Sequence, residues 1–131
     1  MTRRFVSVGA AMAAALSLNL AALASANDYV FEPVKAEIKK GNDVIVSVRL
    51  KHKATGKPIA DAVIVQTRID MAPDGMANMA GRIEQLPSTE PGVYRFKADL
   101  SMQGSWQLSL AAKVQGENGT VESKLVLKVL P

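Results

Sequence analysis

The chain of 131 residues contains no cysteine and a single histidine, His52. Without cysteine no disulfide can staple the fold, and no thiolate is on offer to a metal. A Ser-His-Asp or Cys-His arrangement would have only His52 as its base. That residue lies between Lys51 and Lys53, with no nucleophile motif beside it, and reads as a solvated residue at a strand end. Zinc-ligand spacing and a phosphate-cradling glycine loop are also missing, and no pair of acids stands out for hydrolysis. The sequence therefore argues against an enzyme. Basic residues are interspersed with acidic ones, so the formal charge of +4 marks no basic face for nucleic acid. Internal repeats and low-complexity tracts are absent, and no stretch beyond residue 26 holds a helical period.

The first 26 residues form a unit of their own. Arg3 and Arg4 precede an apolar stretch from Phe5 to Leu23, which ends in Ala24-Ser25-Ala26. That is the order of a cleavable export signal: a basic start, an apolar centre, a small-x-small cleavage site. Two arginines suit an ordinary secretory signal and do not separate it from a twin-arginine one. Residues 1–26 are expected to be removed, leaving residues 27–131 as one exported, periplasmic domain that does not span the membrane.

Within that domain, alternation of apolar and polar residues is the dominant signal. Asp43–Lys51 places Val44, Val46, Val48 and Leu50 on one face. Val93–Leu100 places Tyr94, Phe96, Ala98 and Leu100 on one side and Arg95, Lys97 and Asp99 on the other. Ser105–Gln115 turns Trp106, Leu108, Leu110, Ala112 and Val114 inward, and Thr120–Leu130 does the same with Val121, Leu125, Leu127 and Val129. Ala62–Ile69 is expected to bury Val63, Val65, Thr67 and Ile69. Tyr29–Ile38 and Arg82–Leu86 complete the set. Turn chemistry at Lys40–Asp43, Thr55–Pro58, Pro73–Gly75, Pro91-Gly92 and Glu117–Gly119 separates the runs. About seven alternating segments predict an all-β domain, an immunoglobulin-like antiparallel β-sandwich.

Methionine is unevenly placed. Beyond residue 26 there are four, and three of them, Met71, Met76 and Met79, fall in the segment Asp70–Met79, which reads as a loop around Pro73-Asp74-Gly75. The fourth, Met102, follows Leu100. In a sandwich whose strands run alternately up and down, these two connections share one end, and His52 belongs to the other. Thioether sulfur is soft, uncharged and needs no deprotonation, so such a cluster suits Cu(I) or Ag(I) over hard ions. Asp70 or Asp74 would offset part of the ion's charge. Two other readings of the same residues stand beside this one. The methionines can plug the open end of the sandwich against Trp106 or Tyr94, or they can form a contact surface for a protein partner.

Several segments carry a resemblance. Ala62–Met71, then Pro73-Asp74-Gly75-Met76 with Met79, then Pro91-Gly92-Val93-Tyr94 and Gly104-Ser105-Trp106 resemble the FixH-like/YtkA-like family, in its small secreted form. The resemblance implies an immunoglobulin-like sandwich and an association with copper, in supply for oxidase assembly or in efflux. Joined to the methionine pattern, it makes Cu(I) the expected cargo, with Met71, Met76 and Met79 as first ligands, Met102 to complete the set, and a membrane efflux or oxidase-assembly component as partner. The alternative is a non-metal accessory domain whose methionines touch such a partner.

Overall fold

A computed structural model describes residues 28–131. The segment read as an export signal, residues 1–26, lies outside the described residues. Nine strands form: β1 (Tyr29–Pro33), β2 (Glu37–Lys39), β3 (Gly41–His52), β4 (Val63–Met71), β5 (Met76–Gly81), β6 (Ile83–Leu86), β7 (Val93–Leu100), β8 (Gly104–Lys113) and β9 (Thr120–Leu130). They make two sheets, one ordered β1-β3-β7-β6 and the other β2-β9-β8-β4-β5. Pairing is antiparallel except for β2 against β9. The result is an immunoglobulin-like β-sandwich, with two strands more than the sequence pattern counts.

Both extra strands come from places where alternation is interrupted. The first segment, Tyr29–Ile38, divides after Pro33. β1 pairs with β3, whereas β2 pairs with β9 in the opposite sheet, so the chain crosses the sandwich edge between them. The second is β5. Its sequence, Met-Ala-Asn-Met-Ala-Gly, lacks the β-branched and aromatic residues that announce a strand. It nevertheless pairs with β4.

The inward rows of β3, β7, β8 and β9 fall where alternation puts them. Val46, Val48, Leu50, Phe96, Ala98, Leu100, Leu108, Leu110 and Leu127 are all buried between the sheets. Trp106 is 2% exposed, and its indole N–H donates to the Met102 carbonyl at 2.9 Å, so this buried donor is paired. Tyr94 also faces inward. Its hydroxyl donates to the Ile59 carbonyl at 2.7 Å and accepts the Ala62 N–H at 3.1 Å, pinning the β3–β4 connection.

β4 departs from the expected face. Val63 is 60% and Val65 52% exposed, where the alternation rule buries them. The register against β8 slips between Ile64 and Gln66. One extra residue in a strand reverses the side-chain phase beyond it. Ile64 therefore packs against the core before the bulge, and Ile69 and Met71 after it. Thr67 and Ile69 keep their predicted side; Val63 and Val65 lose it.

Candidate functional site: the methionine-bearing end

The segment Asp70–Met79 is not an open loop but the end of a hairpin. β4 runs to Met71. A single 3-10 turn, Ala72–Asp74, follows, with Pro73 inside it, and Gly75 closes it at φ 78°. That backbone angle favours glycine. β5 then returns, with Met76 opposite Met71.

β5 carries a large irregularity. Asp70 pairs with Ala80 and Met71 with Met76, so one step along β4 matches four along β5. Ala77, Asn78 and Met79 bulge out of the ladder. The bulge keeps Met79 at nearly the level of Met76 rather than three residues further down the strand. Arg68 holds it: one terminal nitrogen donates to the Ala77 carbonyl at 2.8 Å, while Nε donates to Asp70 at 2.6 Å. Asp70 is the buried charged residue of the described chain. Its other oxygen accepts the Ala72 N–H at 2.9 Å. Burial pushes the Asp70 carboxyl up, but the Ala72 N–H and Arg68, aided by Lys124, more than reverse this and hold it below the usual carboxylate value.

The β7–β8 connection closes onto the hairpin. Asp74 accepts the Ser105 N–H at 2.9 Å. Gly104 has φ 140°, and a Cβ there would lie 2.6 Å from the Asp74 carboxylate and 2.7 Å from the Met71 methyl. Only glycine lets both groups come so close. Met102 precedes this contact by two residues, and its carbonyl is tied down by Trp106. Asp70 and Asp74 thus both accept backbone N–H groups, Asp70 within the hairpin and Asp74 from the start of β8.

The four methionines therefore gather at one end of the sandwich, in unlike environments. Met71 is 1% exposed and belongs to the core; Met76 is half-buried against it; Met79 and Met102 are 40% and 41% exposed. His52 sits at the far end of β3, where its ring meets that of Tyr29 edge-on at 5.4 Å and Nδ1 lies 3.4 Å from the Thr55 hydroxyl. Among the described residues, no three His, Cys, Asp or Glu side chains come together as a metal-binding group, so the thioethers are the soft donors at this end. Sequence reasoning named all four methionines and passed over Arg68 and the function of Gly104. Gly104 stood within a recognisable motif; nothing along the chain tells that Arg68 reaches across to residue 77.

The chain is thus a small immunoglobulin-like β-sandwich domain with a methionine-bearing hairpin at one end. The YtkA-like family profile matches residues 23–111, and the chain belongs to that family. No curated protein sequence matches it. Among solved structures it is similar to the Lin-41 filamin domain, at 17% identity and TM-score 0.47, over 79% of this chain and 92% of that one. It is also similar to the ZirS C-terminal domain, at 14% identity and TM-score 0.46, over 80% and 67%. A conjugative transposon lipoprotein from Bacteroides eggerthii aligns at 11% identity and TM-score 0.35, over 76% and 96%.

Proposed function

We propose that this YtkA-like protein is an exported binding protein for a soft monovalent metal ion, Cu(I), which it carries to or from a membrane efflux or oxidase-assembly component. Cu(I) is cargo here, and no catalytic step is assigned. The observation that carries the reading is the convergence of four methionines, drawn from two connections, on one end of the sandwich. A bulge fastened by Arg68 keeps the Met79 backbone within about one ladder step of the Met71–Met76 pair. Thioethers bind Cu(I) without losing a proton and discriminate against hard ions, which fits a protein with no cysteine.

Burial ranks the ligands. Met79 and Met102 are open to an arriving ion, and Met76 is within reach of solvent. Met71 takes part only if the hairpin tip lifts from Gly104, since its side chain is enclosed. Met76, Met79 and Met102 are therefore the first ligand set, with Met71 as the floor. Ag(I) has the same soft chemistry and serves as a redox-inert probe. With Met ε-methyl groups labelled, Ag(I) is expected to shift the NMR signals of Met76, Met79 and Met102 saturably, and that of Met71 least. Uniform, non-saturating shifts would contradict the assignment.

The enclosed Met71 favours a second reading. Its side chain already fills core space beside Gly104, as a plug would, and the exposed Met79 and Met102 then form an apolar contact for a protein partner without metal.

A further inference from the structure

The outer face of the β1-β3-β7-β6 sheet holds a second feature, independent of the methionine end. Most charges on this face are spent on one another. Lys51 pairs with Glu32 at 3.1 Å, Lys97 with Glu84 at 3.1 Å, and Arg82 with Asp43 at 2.9 Å. Two arginines are not. Arg49 forms no ion pair or side-chain hydrogen bond among the described residues, and Arg95 donates only to the Pro87 carbonyl, at 3.3 Å. Ser47 pairs with Arg95 and Arg49 with Val93. The two guanidinium groups thus rise from diagonal positions on adjacent strands, about 7–8 Å apart at the backbone. Like charges so placed repel unless an anion joins them.

Both arginines line a cavity of about 350 Å³, together with Ser47 and the hydroxyl-bearing Ser88 and Thr89. It meets a mainly apolar groove of about 480 Å³, which Lys35, Glu37 and Lys39 also line, at two shared residues, Val34 and Ser47. Ile45, Ile38 and Leu130 line that groove, and Val34 and Ile45 are exposed in it. A cationic pocket thus opens into a mainly apolar groove, and each is of the size of a small-molecule site.

We propose that this face binds a single-chain anionic amphiphile, a long-chain carboxylate, with its acid group between Arg49 and Arg95 and its chain over Val34 and Ile45 towards Ile38 and Leu130. Guanidinium pairs match carboxylate oxygens in geometry and charge. Glu90 lines the same cavity and pairs with neither arginine; its charge disfavours a dianionic phosphate and leaves room for one negative charge. Beside the arginines an acyl chain fits better than a peptide. At Val48 and Arg49, β3 is paired with β1 on one side and β7 on the other, so a peptide laid across it there would leave its own amides unpaired. A hydrocarbon chain has none to satisfy.

Calorimetric titration of the purified protein with dodecanoate, below its aggregation concentration, tests this. Saturable one-to-one binding is expected, with acetate at least 100-fold weaker. The double variant Arg49→Gln, Arg95→Gln should lose at least 10-fold in affinity at unchanged thermal midpoint. Ile45→Ser, which leaves both arginines in place, should weaken dodecanoate by several fold and so tests the chain independently. Absence of saturable dodecanoate binding would overturn the proposal. So would equal binding of dodecyltrimethylammonium, or an undiminished affinity in both variants. Attachment to phosphatidylglycerol vesicles without binding of monomeric dodecanoate would overturn it too, in favour of a membrane-docking face.

Discussion

The Asp74 carboxylate accepts the Ser105 N–H at 2.9 Å, and this bond ties the tip of the β4–β5 hairpin to the start of β8. It joins the two connections that carry all four methionines. Asp74→Ala should free the tip at modest cost, about 1 kcal/mol for a hydrogen bond at an exposed site. Amide hydrogen exchange at Ser105 should accelerate more than exchange at Leu108 in the middle of β8. Equal protection at both positions in parent and variant would show that the bond does not fasten the tip.

Gly104 admits the Met71 methyl and the Asp74 carboxylate where a Cβ would stand. Gly104→Ala therefore meets both a positive φ and two side-chain ends. A loss of about 1–3 kcal/mol is expected, within the range of overpacking a filled site. Urea unfolding checks it, and a change under about 0.5 kcal/mol would mean that both groups move aside freely.

Trp106 lies in the core near the start of β8 and is almost fully enclosed. Trp106→Ala should destabilise by about 3–5 kcal/mol. Trp106→Phe should cost less while leaving the Met102 carbonyl without its indole donor. Chemical denaturation of the two variants separates the packing of the ring from its hydrogen bond.

Asp70 has its carboxyl held below the ordinary value of 3.8, despite burial, by the Ala72 N–H and Arg68. A group with a depressed folded value binds its proton more readily once unfolded. Its stabilising effect is thus complete above pH 3.8 and lost as pH falls through the lower folded value. Asp70→Asn should flatten the acid limb of the stability curve below that pH and lower stability at pH 7. An unchanged acid limb would show that Arg68 and Ala72 do not stabilise the charged form.

Much of this fold is legible along the chain, because β3, β7, β8 and β9 obey strict alternation with one face buried. What is not legible depends on single residues out of phase. The bulge beside Val65 exposes Val63 and Val65, and no composition signal marks it. β5 consists of Ala, Asn, Gly and Met, so it reads as loop and becomes a strand only because β4 offers it an edge. The methionine cluster itself is visible in the sequence. Its ranking is not: that Met71 is core while Met79 and Met102 face solvent follows from packing alone.

Anaerobic titration with Cu(I), in competition with a Cu(I) chelator, reads out whether the methionine end binds the ion. The comparison is between the parent, the Met76→Leu, Met79→Leu, Met102→Leu variant and His52→Ala. Leucine for methionine conserves volume and costs under about 1.5 kcal/mol per site, so the triple variant should stay folded. Saturable binding is expected in the parent, with a loss of at least 100-fold in the triple variant and no change in His52→Ala, which lies at the opposite end. Undiminished Cu(I) binding in the triple variant, or equally poor binding in all three proteins, would contradict the assignment.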